Sequence, residues 1–290
     1  MEFIETLING LSIGSTYAMI ALGYTMVYGI AKMLNFAHGD VIMVGGFMLY
    51  LTLTPINNPI LQLLIAMVVC MVLGVLIEKI AYKPLRSASP LAVLITAIGV
   101  SYLLQSTAQI IFGSAPKMVN LINLGSVNIA GLRIQGYVIV TLVCSTLVMA
   151  GLSVFVKYTK TGRAMIAVSE DKGAAQLMGI NVNKIITITF AIGSALAALA
   201  GFFMLIKSPS LSNTLGAMPG IKAFTAAVIG GIGSISGAML GGLLMGVVEA
   251  VSLTIPPIAP YTDAIEFLIL IVILLVRPTG ILGKVRREKV

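Results

Sequence analysis

The chain of 290 residues is 58% hydrophobic and only 10% charged, with a mean hydropathy of +1.07. A soluble domain carries about 25% charged residues, so a water-soluble globular enzyme is excluded and an all-α, polytopic helical membrane protein is expected. The formal charge of +8 does not read as a nucleic-acid surface, because the basic residues sit at the ends of apolar runs rather than on one face.

Runs of roughly 20 apolar residues, enough to cross about 30 Å of hydrocarbon, recur along the chain and predict about 8 transmembrane segments. The N-terminus, MEFIETLING, is acidic and lacks the basic start of a secretory signal, so the first segment, Leu7–Tyr28, is expected to be a retained span. Asn35, His38 and Asp40 follow in NFAHGD, just before a short second segment, Val41–Leu53. A hydrogen-bonded network that fixes the start of that helix is the leading reading of the three; a direct place in a translocation pathway is the alternative. Asp40 at a helix N-terminus is also favoured by the macrodipole. Three further spans are predicted over Ile60–Tyr82, Leu91–Phe112 and Tyr137–Val156. Cys70 and Cys144 within them have no partner at disulfide or ligand spacing and are expected as small buried hydrophobes.

Between Lys157 and Lys184 the chain turns polar, with Lys160, Arg163, Glu170, Asp171 and Lys172 inside it. At roughly 2.5–3.5 kcal/mol for each charge at a helix centre, this segment stays out of the membrane. It is nonetheless patterned for helices. Thr161 is expected to cap a short helix over Arg163–Val168, and Asp171 a second, its carboxylate accepting from N–H groups near Ala174. Gly179 suits the left-handed residue that closes a helix, and Ile180 stands where a Schellman motif places an apolar contact back to Ala175. Ala174, Ala175 and Met178 then offer a shallow apolar face to another protein's groove. A solvated loop with incidental helicity is the plainer alternative.

A span over Ile185–Ile206 follows, then a glycine-broken stretch, Ala223–Leu253, and a last span, Ala264–Val276. Most of the 18 Lys and Arg fall on one side of these spans: Lys32; Lys79, Lys83 and Arg86; the 157–184 loop; and the tail with Arg277, Lys284, Arg286, Arg287 and Lys289. Only Lys117, Arg133, Lys207 and Lys222 fall on the other. Cytoplasmic loops hold the excess, which puts the N-terminus outside and the C-terminus in the cytoplasm. An even number of crossings must then separate the polar loop from the tail. Ala223–Leu253 would therefore enter and leave on one side, as a re-entrant hairpin turning at Gly230, Gly231 and Gly233. Short, glycine-interrupted segments of this kind point to transport sites. The alternative is one continuous helix with a packing seam at Gly233, Gly237 and Gly241.

Glu249 lies in an apolar run with no charged neighbour in the sequence, and an ionisable group inside a span is a functional candidate by default. It shares a helical face with Gly242 and Gly246, so a hydrogen bond to a partner helix is the structural alternative. Asp263 and Glu266, at the start of the last span, are expected to remain hydrated. No G-x-x-x-x-G-K-[ST] pattern occurs, so ATP hydrolysis by this chain is not expected, and no residue pattern supports catalysis, a metal or a bound cofactor.

Three stretches carry a resemblance. TGRAMIAVSEDKGAAQLMGI, ending at Ile180, is similar to the cytoplasmic loop of permease subunits in bacterial ABC importers, its Ala174-Ala175 to Gly179 core matching the motif that docks into the ATPase. GYTMVYGIAKMLNFAHGD, Gly23 to Asp40, resembles the branched-chain amino-acid permeases of the LivH type, whose NFAHG[DE] signature follows the first span. The late IGGIGSISGAMLGG is similar to a glycine-rich stretch of the same permeases.

The resemblance runs end to end, as a single permease domain over 1–290 with a coupling loop at 157–184. It implies a multi-pass bacterial inner-membrane subunit of an ATP-driven importer of Leu, Ile or Val. Arg163, Glu170, Asp171, Ala174, Ala175 and Gly179 would couple it to an ATPase. The implied partners are a second, LivM-like permease, two ATPases that use ATP and Mg, and an extracytoplasmic binding protein. Two rivals stay open: a permease or channel for urea or another small polar solute, and an ion-coupled carrier using Glu249. Against the carrier, the chain is short for an inverted-repeat fold and no internal repeat is legible in it.

Overall fold

The computed structural model describes residues 2–86, 88–129 and 132–283, so Lys284, Arg286, Arg287 and Lys289 of the basic tail lie outside the described residues. Two helices form the centre: α1 (Glu2–Ala31) and α8 (Val182–Lys207), whose most apolar windows are 89% and 78% buried. Around them stand α2 (His38–Leu53), α3 (Pro59–Ile77), α4 (Pro90–Phe112) and α5 (Gly136–Tyr158). The later helices of the bundle are α9 (Ala217–Gly230), α10 (Ile235–Thr254) and α11 (Thr262–Val276). The same windows of α4 and α11 are only 17% and 11% buried, so their apolar surface faces outward. Among the described residues seven helices are long and apolar enough to span a membrane, while α2 and α9 are shorter.

Two polar ends bound the bundle. At one, β1 (Lys117–Met118) pairs with β4 (Ser210–Leu211), and β2 (Ser126–Ile129) pairs with β3 (Leu132–Gln135), all antiparallel. At the other lie α6 (Lys160–Glu170) and α7 (Lys172–Leu177). There α3 runs on into a π turn, Glu78–Tyr82, and a 3₁₀ turn, Lys83–Leu85.

The glycine-broken stretch is two helices. Gly231 and Gly233 hold φ of 106° and 95°, a region that costs an L side chain roughly 1–2 kcal/mol, and the Ser234 hydroxyl then caps α10 by accepting from Gly237 N–H at 3.1 Å. A continuous helix is thereby excluded. The limbs lie nearly backbone to backbone: a Cβ on Gly241 would stand 2.0 Å from the Ala226 carbonyl oxygen, and one on Gly237 2.3 Å from that of Gly230. The small-residue seam joins the two limbs. With 14 residues, α9 reaches about 21 Å, too short to cross. The turn approaches Gly29 near the end of α1, so the tip of the hairpin points toward α6 and α7, and α10 is its one limb long enough to span.

A duplication that the sequence hides is plain in the packing. Helix α1 packs on α10 as α8 packs on α3; α2 packs on α8 as α9 packs on α1; α4 rests on α2 as α11 rests on α9. The two sets run in opposite senses, because α1 ends where α8 begins. Packing between helices depends on size and shape, so unlike sequences fill equivalent positions: glycine meets glycine at α1–α10, where Gly246 lies on Gly14, and glycine meets serine at α3–α8, where Gly74 lies on Ser194. Cys70 is buried as expected, whereas Cys144 on α5 is half-buried.

Candidate functional site

The short helices α2 and α9 begin inside the bundle and meet at their N-termini. Glycine alone permits this, since a Cβ on Gly216 would stand 1.7 Å from the Gly39 carbonyl oxygen. His38 and Asp40, in the first turn of α2, are buried, as is Asn35 before it. Gln105 on α4 donates to Asp40 Oδ1 at 2.8 Å, and Tyr82 on the π turn donates to Asn35 Oδ1 at 2.9 Å. The His38 ring meets Tyr24 edge-on at 4.7 Å and is hydrogen-bonded to the Ile20 backbone. Its Nε2, beside Gly23, has no hydrogen-bond partner. The NFAHGD residues are thus brought together, with partners on α1, α4 and the π turn. Gly230, Gly231 and Gly233 sit apart from them, at the hairpin tip.

A second cluster surrounds Lys222, which proves to be a buried residue of α9 rather than part of an outer loop. Its Nζ lies 3.2 Å from Glu249, 2.8 Å from Asp263 and 3.3 Å from Glu266, and Tyr17 donates to Glu249 at 2.6 Å. Four helices, α1, α9, α10 and α11, are joined by these contacts. Asp263 is 54% exposed as expected, but Glu266 is 0% exposed, which corrects the expectation that both are hydrated. The close helix beside Gly242 and Gly246 is α1, since a Cβ on Gly246 would meet Gly14 N at 2.0 Å. The bonds to Glu249 therefore come from within the chain. Lys222 had a legible signal, a cation in an otherwise apolar run; Tyr17 and Gln105 had none.

The polar loop is helical. Thr159, not Thr161, caps α6 by accepting from Gly162 N–H at 3.0 Å, and Thr161 lies within the helix. Gly162, Met165 and Val168 of α6 turn inward, leaving Arg163 and Glu170 exposed. Asp171 Oδ1 accepts from Ala174 N–H at 2.9 Å, capping α7. Gly179 holds φ of 80°, and Ile180 N–H donates to the Ala175 carbonyl at 3.0 Å, closing a Schellman motif. The outward face differs from the expected one. Ala175 is buried beneath it, while Leu177 is 90% and Met178 82% exposed beside Ala174. Lys172 reaches back to donate to the Ala31 carbonyl at 2.8 Å; burial, with Arg86 beside it, lowers its pKa from the ordinary lysine value. Among the described residues no group of His, Cys, Asp and Glu is arranged to hold a metal.

Over residues 6–274 the chain matches the family described as branched-chain amino acid transport system / permease component. It belongs to that family. The high-affinity branched-chain amino acid transport system permease protein BraD of Pseudomonas aeruginosa is 43% identical, covering 100% of this chain and 98% of that one. The corresponding LivH of Escherichia coli K12 is 42% identical over the same shares. A probable branched-chain amino acid transport permease protein LivH of Methanocaldococcus jannaschii is 30% identical over 91% of this chain and 88% of its own. The protein is therefore a multi-pass inner-membrane permease subunit of an importer, not an enzyme.

Proposed function

We propose that this permease imports Leu, Ile or Val, forming the translocation pathway with a second, LivM-like permease. Two cytoplasmic ATPases, which bind ATP and Mg, drive it, and an extracytoplasmic binding protein delivers the substrate. The observation that carries the reading is the end-to-end similarity to the P. aeruginosa and E. coli permeases, both named for branched-chain amino acid transport. Sidedness follows from charge: Lys32, Lys79, Lys83, Arg86 and the α6–α7 residues gather at one end, which is the cytoplasmic one. The exposed Leu177–Met178 edge, on a helix fixed by a cap at each end, is the ATPase dock, with Arg163 and Glu170 on the neighbouring helix. Asn35, His38 and Asp40 hold the start of α2 as a structural network beside the pathway, and Glu249 holds helices together rather than carrying a coupling ion.

The test is uptake of labelled leucine by the full complex in vesicles, with both permeases, both ATPases and the binding protein present. Uptake should require ATP and persist when ion gradients are collapsed. Gly179→Val, which places a β-branched residue at φ of 80°, should leave membrane insertion intact while lowering substrate-stimulated ATPase activity and uptake together. Uptake that dies with the gradient while ATP remains would overturn the proposal.

A further inference from the structure

Residues 32–37, which link α1 to α2, are held at two points. One is a fixed post. Tyr82 donates to the Leu34 carbonyl at 3.4 Å and to Asn35, and its π turn is bound by Glu78, which pairs with Arg86 and accepts from Thr187 of α8 at 2.8 Å. The other is Lys172, the first residue of α7, whose ammonium reaches the carbonyl of Ala31, the last residue of α1. A carbonyl at a helix C-terminus lacks its own intrahelical donor and carries the negative end of the dipole, so a cation suits it.

The next residue, Lys32, holds φ of 62°, the single non-glycine residue at positive φ among those described. The link then leads to His38 and the contact of α2 with α9. It borders a cavity of about 500 Å³ lined by Lys32, Met33, Leu34, Arg86, Leu91 and Lys172, so it has room to move.

We infer that Lys172 is a positioning residue that passes displacement of α7 to the 32–37 link and so to the start of α2. The inference rests on the docking role proposed for α6 and α7. With Tyr82 fixed on the α3–α8 side, a shift of α7 that pulls on Ala31 must reorient the residues between them. Methionine at 172 keeps the apolar stem and removes the cation; arginine keeps charge and reach.

The experiment measures leucine uptake per ATP hydrolysed by the full complex in vesicles, with the unaltered chain, Lys172→Met and Lys172→Arg. Loss of a charge-assisted hydrogen bond predicts a fall of about tenfold in that ratio for Lys172→Met, restored in large part by Lys172→Arg. Spin labels at positions 32 and 83 supply a second readout. Their separation should change on ATP binding in the unaltered complex and stay fixed in Lys172→Met. An unchanged ratio and an unchanged distance response in an assembled Lys172→Met complex would overturn the inference alone. Failure of that variant to assemble would show a structural tie and also overturn it. An unaltered complex without ATP-driven uptake would overturn the inference and the proposed function together.

Discussion

Lys222→Met is expected to destabilise the protein more than an ordinary intramembrane substitution. Lys222 Nζ lies within 3.3 Å of three carboxylates, one of which, on Glu266, is 0% exposed. Methionine fills the space of the stem but leaves Glu249 and Glu266 without their cation. Breaking a buried ion pair from one side costs about 3–5 kcal/mol, because the partner charge stays buried and unpaired. Either Glu266 keeps its charge in an apolar site or it takes up a proton at neutral pH, and both cost free energy.

Equilibrium unfolding in mixed detergent micelles measures the loss. The double variant Lys222→Met/Glu266→Gln should recover part of it, since the orphaned charge is gone. Glu249→Gln should cost far less, about 1 kcal/mol, because its amide oxygen still accepts from Tyr17 and Lys222. The reasoning is refuted if Lys222→Met stays within about 1 kcal/mol of the unaltered chain, a typical single hydrogen bond, or if the double variant is less stable than the single one.

Glycine packing gives a paired prediction. Gly246→Ala puts a methyl 2.0 Å from backbone Gly14 N, so α1 and α10 must separate at a cost of about 1–3 kcal/mol or more; Gly151→Ala meets nothing within 4 Å and should gain about 0.5–1 kcal/mol from helix propensity. Equal unfolding midpoints for the two would contradict the close α1–α10 approach. For sidedness, a cysteine at Ser114 should react with an impermeant thiol reagent applied to intact cells and one at Ser169 should not, with buried Cys70 silent in both; labelling at Ser169 from outside would invert the topology.

Composition and periodicity alone determine that this chain lives in a membrane, where its long helices run and where the polar loop must stay. Those are local properties, settled by the transfer free energy of about 20 residues at a time. The caps of α7 were legible for the same reason, since Asp171, Gly179 and Ile180 act on backbone groups a few residues away. The cap of α6 was misplaced by two residues because Thr159 and Thr161 offer the same hydroxyl chemistry, and only the path of the chain out of α5 selects between them.

What tertiary structure decided is partnership across distance. Glu249 has no charged neighbour in sequence, yet it meets Lys222 and Tyr17 because α1, α9 and α10 approach through glycines. Glu266 reads as an interfacial residue until Lys222, in the second turn of α9, is seen to bring a cation to it, and burial follows from that pairing. The inverted duplication of α1–α4 in α8–α11 left no legible trace in the residues. Helices pack by the shape of their surfaces, and many different small and large side chains interlock equally well.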